Sequence, residues 1–280
     1  MQQKASIIDI IKQQIKKEDS LPVLNPKALN IQGEATKKDP DFNILARMIR
    51  MDPTLTSQIL KTANSPFYRG LGDVETIKDA LVRLGQNTMV NIIMKVIHQQ
   101  NFTSSNPLIR SYQNRLWGHS VSCAIGSLWT AKYLSLEELI PKAFIAGLLH
   151  DMGKLYLLTA LEKILESKTA GFKPTPQLIE KILDSLHSAL GFSLLTKWHL
   201  PEHYRIIARD HHAQEYDRSD MLLVIVRLVN NVCIKMEKND PQADLSGIVS
   251  SREADLLGMP EIGVAELEIA LEDARVNRPM

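Results

Sequence analysis

Residues 144–158 read FIAGLLHDMGKLYLL, an apolar stretch with a histidine, an aspartate and a lysine in its middle. A run of this length exceeds a strand of about 4–8 residues and has to be accommodated as helical core. Burying His150, Asp151 and Lys154 without partners would cost several kcal/mol, so their surroundings must compensate them. Either an ion or a closed hydrogen-bond network therefore belongs in this part of the core.

Helical signals run through the rest of the chain. DPTLTSQILKTAN (52–64) places Asp52 at an N-cap and Pro53 at the first helical position, with Leu55, Ile59 and Leu60 on one stripe. ETIKDALVRLG (75–85) sets Ile77, Leu81 and Leu84 on one face, and Gly85 is placed to end that helix. NSPFYRGLGD (64–73) is rich in turn formers and reads as an ordered loop. In it Asn64 and Ser65 are expected to satisfy backbone groups at the helix end, and Phe67 and Tyr68 to act as aromatic anchors. With no run of strand alternation and no repeat, the expected fold is all-α and two-lobed. The polar segment NFTSSNP (101–107) marks the internal boundary. The expected divisions are an N-terminal helical lobe (1–105), a second helical lobe (106–235) and a C-terminal helical extension (236–280). The last helix, GVAELEIALEDARV, is expected to pack on the body.

Charge excludes some partners. A formal net charge of +1 with 23% charged residues offers no clear nucleic-acid or membrane signal, and KQQIKK (12–17) reads as a solvated face. Cys123 and Cys233 form no CxxC motif and read as small buried hydrophobes in a reducing compartment. The isoleucines at 7, 8, 10, 11 and 15 are interrupted by Asp9, Lys12 and Lys16, so they make no signal-peptide core. No stretch is expected to approach the ~20 apolar residues of a transmembrane segment, and the expected location is cytoplasmic.

Four places combine histidine with a helical frame: His119, the pair His150–Asp151, His187 and the pair His211–His212. Imidazole with carboxylate is the mixed ligand set that suits iron, manganese or zinc, as one ion or a bridged pair. Neighbouring residues on a helix point about 100° apart. His150 and Asp151 are therefore expected to flank a two-metal centre, or the aspartate to bridge it. Gly147 and Gly153 would let another helix approach closely. Lys154 either orients a phosphate or pairs with Asp151.

WGHSVSCAIGSLWTAKYL (117–134) followed by AFIAGLLHDMGK (143–154) resembles the HD superfamily of metal-dependent phosphohydrolases. LHSALG (186–191) is similar to its His-x-x-x-Gly element, and WHLPEHYRIIARDHH (198–212) to its Trp-x-Leu-Pro…His-His segment. LPVLNPKALNI, ARMIRMDPTLTSQILKTANSPFYRG and TIKDALVRLG resemble the HDOD family in particular, and the likeness runs in order over about 20–235. It implies metal ligands at His119, His150, Asp151, His187, His211 and His212, matching those of phosphodiesterases that cleave cyclic dinucleotides. The superfamily's last aspartate aligns at or near Asn230, with Asp217 or Asp220 as substitutes, and HHAQEYDRSD stands where those enzymes carry a GYP signature. Lys154 and Arg209 could supply positive charge for a phosphate.

The resemblance thus implies a cytoplasmic, bacterial-type signalling or regulatory HDOD module, non-catalytic or weakly catalytic, with a divalent-metal site. Signalling proteins or a small nucleotide are its expected partners. The alternatives are a metal-dependent phosphohydrolase acting on nucleotides or cyclic dinucleotides, and a purely structural polar network.

Overall fold

The structure, a computed structural model, describes residues 11, 31, 34, 37, 40–50, 53–68, 74–100, 104–166, 175–197, 200–237 and 246–276. Among them there are helices and no strands, so the fold is all-α. Asp52, loop residues 69–73, KQQIKK and Trp198 lie outside the described residues. Two compact units form, one within Pro22–Thr103 and the other within Ser104–Met280, to which Ile11 also belongs.

In the first unit, α1 (Phe42–Arg50), α2 (Pro53–Ala63) and α3 (Ile77–Gln100) pack on one another. Asp41 caps α1, its Oδ1 accepting from Asn43 N at 2.8 Å and Ile44 N at 3.1 Å. Leu45, Ile49, Leu55, Ile59, Ile77 and Leu84 are buried, while Leu60 and Leu81 are half-buried at the edge of the stripe. Gly85 interrupts α3 at φ 74° and ψ 164°, a conformation open to glycine, and a second helical segment follows directly. Asn64 differs from expectation: it clamps Val74 across the loop, donating to its carbonyl at 2.8 Å and accepting from its N–H at 2.7 Å. Phe67 is 86% exposed and stacks edge-on against Tyr68, so it is no buried anchor.

The second unit contains α4 (Pro107–Tyr133), α5 (Ile140–Leu149), α6 (Met152–Glu166), α7 (Pro176–Lys197), α8 (Glu202–Asp210) and α9 (Met221–Glu237). The short α10 (Ser246–Val249) and α11 (Arg252–Leu257) lead to α12 (Glu261–Val276). Asn106 caps α4 by accepting from Leu108 N and Ile109 N, with Pro107 at the first helical position. Glu162 of α6 holds the same turn by accepting from Ser105 N at 3.0 Å and Asn106 N at 3.2 Å.

Helix α4 is central, touching α5, α6, α9 and α12. Leu267 and Leu271 of α12 are fully buried against it at Gly126, where a Cβ would meet Val229 and both leucines. The last helix therefore packs on the body. Lys142–Glu166 is, contrary to expectation, long and apolar enough to cross a membrane. Its most apolar window is 89% buried inside the structure, and the helix breaks at His150–Asp151, so the stretch forms the core pair α5–α6.

Candidate metal centre

Adjacent residues at the junction of α5 and α6 serve one site. His150 and Asp151 occupy the turn joining the two helices, and His150 keeps a helical backbone at φ −56° and ψ −35°. Two glycines bring the partner helices in. A Cβ on Gly147 would collide with the Cys123 carbonyl of α4, and one on Gly153 with the His187 carbonyl of α7. Gly191, one turn beyond His187, faces Gly153, which gives the His-x-x-x-Gly spacing its physical meaning.

Around this turn the histidines converge on Asp151. Its Oδ2 lies 3.7 Å from His119 Nε2 and 3.5 Å from His150 Nε2, while its Oδ1 lies 3.7 Å from His187 Nε2 and 3.3 Å from His211 Nε2. The four imidazoles and the carboxylate are each at most 5% exposed. His212 is exposed at the rim, its ring centroid 4.2 Å from that of His211 and 5.3 Å from that of His187. Donor atoms of Asp151, His187, His211 and His212 all fall within 4.8 Å of one another.

The far side of each buried ring fixes its orientation. His150 Nδ1 donates to Gly147 O at 2.8 Å, His187 Nδ1 to Leu183 O at 2.8 Å, and His211 Nδ1 to Ile207 O and Ala208 O at 3.1 Å. A carbonyl only accepts, so the proton resides on Nδ1 and the Nε2 lone pairs face inward, as in histidines that hold metals. His119 Nδ1 pairs with Glu237 Oε1 at 2.9 Å, and its Nε2 lies 3.0 Å from Asn230 Oδ1 and 3.3 Å from His150 Nε2.

Electrostatics separates the groups. Burial holds His150 well below the usual imidazole range and takes His187 down to about 4, so both are neutral near neutral pH. Burial opposes the His119 cation too, but Glu237 and Asp151 outweigh it and raise this residue. Asp151 stays well below the carboxylate range: burial acts against its charge, but Lys154 and the surrounding histidines prevail. Lys154 Nζ donates to Asp151 Oδ2 at 2.8 Å, so the ion-pair alternative is the one adopted.

At the centre, two acceptor atoms are buried without a hydrogen-bond partner, Asp151 Oδ1 and His211 Nε2. Such orphaned groups are costly, and inward-facing lone pairs beside a carboxylate are the donor set a divalent cation satisfies. The residues present thus fit a metal.

Other expected contributors are elsewhere. Arg209 is exposed and forks onto Asp210 at 2.7 Å. Asp220 caps α9 by accepting from Leu222 N and Leu223 N, and Asp217 accepts from Ser219, which leaves Asn230 facing His119. Sequence reasoning missed Glu237, whose partner lies 118 positions away, and the place of Cys123, whose Sγ sits 3.5 Å from His119 Nε2. For the cysteine the signal was present, since it follows His119 by one helical turn.

The HDOD domain profile matches residues 21–214. The chain belongs to the HDOD family. A Treponema pallidum protein of no assigned function is 26% identical over 198 residues, covering 69% of this chain; the chain spans only 38% of that relative's length. An HDOD domain protein of unknown function from Geobacter sulfurreducens shares the fold at a TM-score of 0.70 and 19% identity, covering 96% of this chain and 94% of its own. A candidate metal-dependent phosphohydrolase from Shewanella amazonensis does so at a TM-score of 0.69 and 17% identity, with 96% and 97% covered. These likenesses place the histidine cluster in an HDOD fold.

Proposed function

We propose that this HDOD protein is a cytoplasmic signalling module whose centre holds one or two divalent cations of iron, manganese or zinc and turns over phosphate esters weakly or not at all. Signalling proteins or a small nucleotide are its partners. The functional divisions proposed are 1–105, 106–235 and 236–280. His119, His150, Asp151, His187, His211 and His212 hold the metal, with Asp151 between the two halves. The observation that carries the metal reading is the inward convergence of four Nε2 atoms on Asp151, each ring held from behind at Nδ1.

A bound cation supplies Lewis acidity and a water of lowered pKa. Turnover also needs positive charge aimed at a phosphate, and three described cations of this unit are engaged. Lys154 is paired with Asp151, Arg209 with Asp210 and Arg115 with Glu180. A cavity of about 400 Å³ opens beside His119 and Lys154, but Glu180, Asp184 and Glu237 give its wall more negative than positive charge. Such a wall disfavours a polyanionic substrate. Asn230 offers a neutral carbonyl where a carboxylate would neutralise more of the ion's charge.

The test is hydrolysis of nucleotides and cyclic dinucleotides by purified protein loaded in turn with manganese, iron and zinc. We expect tight metal retention with no sustained turnover. Multiple turnovers abolished by Asp151→Asn would replace this reading with the phosphohydrolase one.

A further inference from the structure

The two halves of the centre differ in chemistry. Oδ1 of Asp151 faces His187 and His211, with His212 at the rim, a set of nitrogen and oxygen donors. On the Oδ2 side a sulfur joins. Cys123 is fully buried, and the donor atoms of His119, Cys123 and His150 lie within 4.8 Å of one another. Cys123 reaches this position because residues four apart on α4 share a face.

The spacing is that of a coordination polyhedron. A tetrahedral zinc ion, with Zn–N near ~2.05 Å and Zn–S near ~2.3 Å, separates two nitrogens by about 3.3 Å and a nitrogen from a sulfur by about 3.6 Å. His119 Nε2 stands 3.3 Å from His150 Nε2 and 3.5 Å from Cys123 Sγ. Asp151 Oδ2 lies 3.7 and 3.5 Å from the same two nitrogens, and it also accepts from Lys154 at 2.8 Å. A second observation points to the same place. Asn230 is 1% exposed and brings Oδ1, a neutral oxygen donor, to 3.0 Å from His119 Nε2.

We propose that Cys123 is a metal ligand, and that His119, Cys123 and His150 form a thiolate-containing zinc subsite, bordered by Asp151, beside the nitrogen–oxygen half at His187, His211 and His212. This inference rests on the metal-centre reading and sharpens it. On binding, the ion replaces the thiol proton, which leaves to solvent, and one Zn–S bond forms without change of oxidation state. A soft thiolate selects zinc over manganese or magnesium.

The experiment uses the full chain loaded with Co²⁺ as a spectroscopic stand-in for zinc. Wild type is expected to show a sulfur-to-cobalt charge-transfer band in the near ultraviolet beside the visible bands of tetrahedral cobalt. Cys123→Ser should lose the near-ultraviolet band while cobalt remains in the other half, and its preference for zinc over manganese should fall about tenfold or more. Cys233→Ser, altering the thiol beside Cys123, should keep the band. Cobalt bound without a thiolate band in wild type, a band surviving in Cys123→Ser, or a band lost only in Cys233→Ser would each overturn the assignment and leave the metal centre standing. No uptake of cobalt, zinc or manganese would overturn the metal centre itself. Because the band is read on the wild-type chain, the test does not depend on a variant folding.

Discussion

At the scale of single residues, Asp151 is the pivot, since each of its oxygens faces a different pair of imidazoles. Asp151→Asn keeps the shape and removes the charge. Its melting temperature should not respond to added divalent metal. The wild type at a hundredfold excess over Kd should gain about 2.7 kcal/mol, measured by thermal unfolding with and without chelator. Lys154 gives the complementary prediction. It is the strong cation paired with Asp151, and truncating one member of a buried pair strands the other. Lys154→Met should lose about 3–5 kcal/mol in chelator. Metal should then restore more stability to the variant than it adds to wild type, because the ion takes over the lysine's role. An equal metal increment in both proteins, read from urea unfolding, would contradict that.

At the scale of elements, the glycine crossings set the site's dimensions. Gly153→Ala drives a Cβ into the His187 carbonyl, where backbone has to give. The expected cost is about 3 kcal/mol, with weakened metal uptake because α7 carries His187 away. Arg227 makes another element-level brace: it donates to Asp210 O at 2.8 Å and Ala213 O at 3.0 Å, bracketing His211–His212, and to Glu253 of α11 at 2.8 Å. Burial acts to raise Glu253, but the Arg227 and Tyr216 hydrogen bonds prevail and lower it. A depressed carboxyl contributes stability above its unfolded pKa and loses it as pH falls through the folded value. Glu253→Gln should therefore be about 2 kcal/mol less stable than wild type at neutral pH. The gap in melting temperature should close in acid, below the ordinary glutamate range. The helices and the histidine segments were legible in the sequence because apolar spacing and ligand type can be read along one dimension. Glu237, Arg227 and the Asn64–Val74 clamp were not, since nothing local to those residues names a partner in another element or across a loop. The apolar length of α5–α6 was misjudged because three polar residues hid a continuous core pair.

At the scale of the molecule, the candidate ligands all belong to the unit within Ser104–Met280. Hydrogen exchange with and without zinc should therefore show added protection in α4, the α5–α6 turn, α7 and α9, with unchanged rates in α1–α3. Equal protection in α1–α3 would mean that the metal is felt across both units. One more consequence follows from the brace on the histidine pair. The family's own outline closes at residue 214, just past His212, whereas Arg227, Asn230, Glu237 and Glu253 lie downstream of it. A fragment trimmed to that outline would keep every expected metal-binding side chain but lose the Glu237 carboxylate behind His119 and the Arg227 brace on the His211–His212 turn. For this protein, the smallest piece worth expressing is set by those two supports and reaches at least to α11.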